Sequence, residues 1–242
     1  MSNPQDFEKA REGTPPHPPR QPLSRRKRAI LDAAIRLFRE HGYHGTTIRD
    51  IGAAAEVTSA ALYRHFSSKD EVLETAIWET MRKVDRASRE AIAEEERSPE
   101  EILDRLVRAL ARTLLEDRER LAVYLFEARH LEPAIYAEMQ RAERRLYERW
   151  LGHLLRARPE LSETRARTLA KAAVFTIGYA AVADTELESE QLGCILADAA
   201  LAGMLHSARP VAPVEPRGES TPMDSDGKIG RLIDGGHLTK GR

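Results

Sequence analysis

The chain of 242 residues is 41% hydrophobic and carries 38 basic against 39 acidic side chains, a formal charge of −1. That apolar content is enough for a buried core and excludes disorder throughout, whereas no run approaches the roughly 20 apolar residues of a membrane span and the N-terminus lacks the apolar segment of a secretory signal. The single Cys194 excludes an internal disulfide, and no Cys/His spacing suits zinc, so the chain reads as soluble and cytoplasmic, with no metal, no cofactor and no membrane partner.

Residues 1–22, with Pro15, Pro16, Pro18, Pro19 and Pro22 among polar side chains, are expected to form a disordered tail. Over residues 24–41, Ile30, Leu31, Ala34, Ile35 and Phe38 fall on one helical stripe, and Gly42 supplies a left-handed stop. The start of this helix is basic, Arg25, Arg26, Lys27 and Arg28 having no acid among them. Such a run is either a solvated face or a set of cations placed for phosphates. Thr47 with Asp50 then marks a helix start, Ile48, Ile51 and Ala55 share a face, and Glu56-Val57 interrupts. Thr58 begins a second short helix with Leu62 and Phe66 on its buried side, leaving Thr58, Ser59, Ala60, Tyr63, Arg64 and His65 outside. By itself this is an αα-hairpin whose polar face could simply be solvated. It also suits a major groove, where small and hydroxyl side chains permit close approach and flanking donors grip phosphates.

Phe38, Gly42, Tyr43, Thr46, Thr47 and Ile51, followed by VTSAALYRHFSSKDEVL from Val57, resemble the DNA-binding domain of TetR/AcrR-type transcriptional regulators over residues 23–72. The resemblance implies a three-helix domain whose third helix reads the major groove, with phosphates held at Tyr63, His65 and Lys69, and it carries Thr47, Thr58, Ser59 and Ala60 into the DNA-facing set beside the candidates Arg25, Arg26, Lys27, Arg28, Thr46 and Arg64. This chain departs at Glu56, where the family most often has Gly in the turn. A left-handed non-glycine residue there would cost on the order of 1 kcal/mol.

Ser67 with Asp70, or Ser68 with Glu71, caps a long helix striped by Val72, Leu73, Ala76, Ile77, Met81 and Val84, a rod able to carry a signal out of the reading domain. Ser98-Pro99-Glu100-Glu101 opens a helix to about residue 115, residues 119–130 form another, and Pro133 starts a long one that Pro159 ends. Ser162 opens a helix to about residue 185, and residues 190–207 form the last. No strand-period segment occurs, so the expected fold is all-α: a helix-turn-helix domain over residues 23–70, a helical ligand-binding and dimerisation domain over 71–207, and a Pro-rich disordered tail over 208–242.

The last two helices are rich in Ala and Gly, which permits close helix packing; the resemblance implies that they form a four-helix homodimer interface, against the alternative of an intrachain core. Trp78, Met81, Tyr124, Phe126, His130, Met139, Trp150, Phe175 and Tyr179 are the candidates for an effector cavity, with ordinary packing as the competing role. Residues 127–131 gather ionisable groups, fit for a salt bridge or a polar ligand anchor. Arg141, Arg144, Arg145 and Arg149 lie at helical spacing among glutamates, as an ion-paired face or an anchor for an acyl-CoA, and residues 126–131 resemble family members that sense acyl-CoA thioesters. Phosphate-loop, serine-elbow and metalloprotease motifs are missing, so no enzyme is expected. The reading is a homodimeric repressor that leaves a near-palindromic double-stranded operator when a small hydrophobic or acyl-CoA-like molecule binds. The alternative is a nonspecific nucleoid-associated or scaffolding protein.

Overall fold

A computed structural model describes residues 23–93 and 97–206, so the tails expected at 1–22 and 208–242 lie outside the described residues. Helix α1 (Arg25–Gly45) starts where Ser24 Oγ accepts from the Lys27 amide, and it buries the expected stripe of Ile30, Leu31, Ala34, Ile35 and Phe38. Gly42 has φ 73° and ψ 167°, so its φ is positive as expected, but its ψ is extended. Only glycine reaches that region readily, and the chain breaks there and makes one further turn instead of stopping.

The capping box at α2 (Ile48–Ala54) is formed: the Asp50 amide donates to Thr47 Oγ1 (3.2 Å) and the Thr47 amide to Asp50 Oδ2 (3.0 Å). In the turn that follows, Glu56 takes φ 54°, the left-handed conformation that glycine would occupy without strain. Gly52 has no such dihedral need; a Cβ there would sit 3.0 Å from the Val57 carbonyl oxygen, so its bare backbone lets the hairpin close. Helix α3 (Ser59–Tyr63) is capped by Thr58 and is shorter than its apolar spacing suggests: Arg64 and His65 fall in the turn after it, and Phe66 is buried from that turn. Both serine pairings proposed for the next start resolve onto one acid. Ser68 Oγ accepts from the Glu71 amide, while the Ser67 amide and hydroxyl donate to Glu71 Oε2.

Helix α4 (Lys69–Ala91) leads into α5 (Pro99–Leu115), whose Ser98 capping box is also present, and α6 (Arg118–Glu127), capped by Asp117. The helix expected over 119–130 ends at Glu127, and Ala128–His130 is a single 3₁₀ turn. Helices α7 (Pro133–Ala157), α8 (Glu163–Val182) and α9 (Ser189–His206) complete the described residues, among which no strand occurs. One core surrounds Trp150, with Leu103, Leu106, Leu154, Ile177 and Met204 from α5, α7, α8 and α9. A second joins Ile30, Phe38, Ile51, Leu62, Phe66, Leu73 and Ile77 to Val123, Ala128, Leu131 and Met139 from the α6–α7 region. The hydrophobic core of the reading head therefore includes residues well beyond position 70. Each such fully buried side chain contributes about 1.5–3 kcal/mol.

Two substitutions in the hairpin have opposite expected outcomes. Glu56→Gly relieves the left-handed strain and, after the entropy gained by the unfolded chain, raises unfolding free energy by no more than about 0.5 kcal/mol in urea titration. Gly52→Ala presses on backbone and lowers it by about 1–3 kcal/mol.

Candidate DNA-reading site and effector region

The capping chemistry that starts α2 and α3 also decides what their exposed side can offer. Thr47 and Thr58 are exposed N-caps, and their hydroxyls already accept from the Asp50 and Ala61 amides. Ser59 and Ala60 follow on the first turn of α3, Ala60 exposed and Ser59 partly so. Tyr63 stands 54% exposed at the helix end, beside exposed Arg64 and half-buried His65. Thr58, Ser59, Ala60, Tyr63 and Arg64 therefore give α3 a small, hydroxyl-bearing outer side with donors at its C-terminal edge.

The basic start of α1 is joined to this surface. Arg26 Nη2 donates to the Glu56 carbonyl oxygen (3.4 Å), tying α1 to the α2–α3 turn. Lys27 is not a free cation: its ammonium lies 4.4 Å from the Phe66 ring centre and 3.4 Å from Glu71 Oε1, bracing α1 against the turn before α4. Arg25 and Arg28 are exposed.

Two of the expected phosphate or base contacts have other work. Thr46 is 1% exposed, and its hydroxyl faces the Leu37 and Gly42 carbonyl oxygens at 3.1 and 3.0 Å. It braces the broken end of α1 and is withdrawn from the DNA-facing set, because the side chain is buried and its one proton is spent on these carbonyls. Lys69 donates to the Tyr43 and Thr46 carbonyl oxygens at 2.8 and 2.9 Å and sits 4.1 Å from the Tyr43 ring centre. An ammonium has three donors, and two of them are used on these carbonyls.

Sequence reasoning missed the node around Tyr43. Its hydroxyl donates to Asp70, and burial first, then the accepting carboxylate, pushes the phenol above its ordinary value. Its amide donates to Glu127 Oε2 (3.2 Å), and its ring stacks on His130 with centroids 5.4 Å apart. Further along the seam between α1 and α6, Arg120 bridges Asp32 and Asp117 (2.8 and 2.7 Å), and Arg39 meets Glu119 (3.2 Å). The cluster of ionisable groups at 127–131 was the available signal, but its partners lie more than 80 positions away in sequence.

The nine residues expected to line an effector cavity do not converge on one. Trp150 is fully buried in the C-terminal core, Met139 is buried in the N-terminal core with Met81 packed against it, and Trp78 is buried on α4. His130 belongs to the Tyr43 node. Tyr124 touches both cores, and its hydroxyl donates to Glu143, whose carboxyl burial raises. Phe126, Phe175 and Tyr179 are exposed and form a surface cluster across α6 and α8. Helical spacing placed these side chains on inward or outward faces but carried no information on which helices would bring them together. The cleft lined by Thr80, Lys83, Thr113, Asp117 and Arg120 between α4, α5 and α6 has room for about one water molecule. Among the arginines of α7, Arg149 pairs with Asp85, the ion-paired alternative.

On α8 and α9, Ala172, Phe175 and Tyr179 and Cys194, Ile195, Ala199, Ala202 and Gly203 are exposed, while the opposite faces pack inward. No helix among the described residues is long and apolar enough to cross a membrane.

Comparison with known proteins places this geometry. Residues 30–76 match the sequence family described as bacterial regulatory proteins, tetR family, and residues 96–182 match the tetracyclin repressor-like C-terminal domain. The HTH-type transcriptional repressor KstR2 of Mycolicibacterium smegmatis is 40% identical over 62 residues, 26% of this chain and 30% of that protein, so the aligned part spans less than a third of this relative. Among solved structures, the TetR family regulator PfmR from Thermus thermophilus superposes with a TM-score of 0.63 at 25% identity, covering 72% of this chain and 97% of that one. AibR, solved in complex with isovaleryl coenzyme A and operator DNA, shares the fold with a TM-score of 0.60 at 24% identity, over 73% of this chain and 96% of that one. With both halves matched in sequence and the fold matched in structure, the protein belongs to the TetR family of bacterial regulatory proteins.

Proposed function

We propose that this regulator is a homodimeric repressor that binds a near-palindromic operator and leaves it when a small hydrophobic or acyl-CoA-like molecule binds its C-terminal half. The observation that carries the reading is the exposed α3 surface, where Thr58, Ser59 and Ala60 give close approach and Tyr63, Arg64 and His65 supply donors at the edge. Arg25 and Arg28 of the basic start, with the remaining donor of Lys69, extend it toward phosphates. The exposed apolar faces of α8 and α9 support the dimer, and a two-fold dimer pairs two reading helices with two half-sites. KstR2 being a repressor and AibR having been solved with both an acyl-CoA and operator DNA support the sign and the effector class.

Effector binding would favour a conformation in which the two α3 helices no longer fit successive major-groove segments. Linkage makes this reciprocal, so operator DNA weakens effector affinity by the factor that effector weakens operator affinity. Footprinting beside the regulator's own gene is expected to protect a discrete inverted repeat; diffuse coverage would instead mark the nonspecific DNA-binding alternative. On that repeat, Tyr63→Phe removes one phosphate donor and weakens binding to every duplex by about 5-fold, whereas Ser59→Val changes which bases are preferred. Calorimetry with isovaleryl coenzyme A as the probe, with and without the repeat, checks reciprocity: equal affinities would contradict release by induction.

A further inference from the structure

The groups around Tyr43 share their hydrogen-bonding atoms in a way that responds to a proton. Glu127, the last residue of α6, accepts the Tyr43 amide on Oε2 (3.2 Å), and the same oxygen lies 3.5 Å from His130 Nε2. Arg129 Nε–H donates to that Nε2 (3.2 Å), so the nitrogen carries its lone pair and His130 is neutral in this arrangement. The groups that face the imidazole come from each packed element: Tyr43 and His44 from α1, Lys69 from α4, Glu127 from α6 and Arg129 from the 3₁₀ turn. The His44 and His130 rings meet edge to face with centroids 4.4 Å apart.

We propose that His130 and Glu127 form a proton-sensitive latch that grips the end of α1 when His130 is neutral and releases it when His130 is protonated. A proton arriving at Nε2 takes up the lone pair, which breaks the Arg129 bond, since two donors then face one another. The new N–H bonds to Glu127 Oε2, already within reach, and draws that oxygen from the Tyr43 amide. The imidazolium is also set against the His44 ring, Arg129 and Lys69. What loosens is the Tyr43 amide, while Lys69 still holds the Tyr43 and Thr46 carbonyl oxygens; that amide begins the segment that runs into Thr47, the N-cap of α2, so the latch acts on one of the bonds that place the reading hairpin.

The sign follows from His130 itself. Burial first, then the facing His44, with Arg129 and Lys69, lower its pKa below 6.5 against the pull of Glu127. Neutral His130 is therefore the partner of the closed latch. Its stabilisation is present above the ordinary imidazole value and is lost as pH falls from there through the depressed one.

This inference rests on reading the two halves as sensor and reader, but its test needs no DNA, so the two can fail separately. Amide exchange of Tyr43 is measured by NMR in the full chain at about pH 7.5 and about pH 5.5, each rate divided by its intrinsic rate at that pH. In the native chain protection is expected to fall roughly tenfold at the acid end. His130→Phe, which keeps a ring against Tyr43, and Glu127→Gln, which keeps an acceptor for its amide but offers no carboxylate to an imidazolium, should both hold protection constant. Constant protection in the native chain, or a native-sized fall in either variant, would overturn the latch.

Discussion

The end of α1 is closed by the ammonium of Lys69, and the placement of the reading helices depends on that closure. Gly42 breaks the helix and leaves carbonyl groups pointing back toward the start of α4. Lys69 bonds two of them and rests on the Tyr43 ring, while the buried Thr46 hydroxyl faces two more. The Tyr43 carbonyl also accepts from the Thr46 amide (3.4 Å), whereas the Thr46 carbonyl gains the Lys69 ammonium as its partner, a bond to a charged donor contributing about 1.5–3 kcal/mol, so this closure helps hold the segment that delivers Thr47 to its capping position. From Thr47 onward each step fixes the next: the capping box sets α2, the Glu56 turn sets the angle, and Thr58 starts α3.

The same turn is where the two halves meet. Residues of α6 and α7 complete the hydrophobic core of α1–α4, and the backbone of Tyr43 is bonded by a carboxylate of α6. Arg120 and Arg39 extend the contact along α1 as ion pairs. Packing and the polar seam are two physical connections from α6 to the reading hairpin. The long rod of α4 is a third connection, since it begins at Lys69 and packs on α5. Where such a seam has two packings, small shifts are converted into changes of fit at a distant surface.

Much of the fold was legible in the chain because its signals are local. Thr47 with Asp50, Ser98 with Glu101 and Pro at 99 and 133 each mark a helix start within a few residues, and the starts occur where those residues stand. Ends were less legible: α3 stops before the last residue of its apolar spacing, and the helix through Glu127 tightens into a 3₁₀ turn, because packing against other helices decides both. The exposed α3 face was legible in its residue types. The fates of Thr46, Lys27 and Lys69 were not, since their partners are the broken end of α1, the Phe66 ring and Glu71, which only the folded chain assembles. For the same reason nine large side chains at helical spacing did not announce two cores, one seam and a surface cluster.

The central claim is that two copies of the α3 surface read two copies of a sequence. Selection of bound duplexes from a random-sequence pool by the full chain tests it most directly. The account predicts an enriched inverted repeat whose half-site centres are separated by about one helical turn, roughly 10 base pairs, or a multiple of it. A pool that remains random after repeated selection while binding persists at low salt would contradict it.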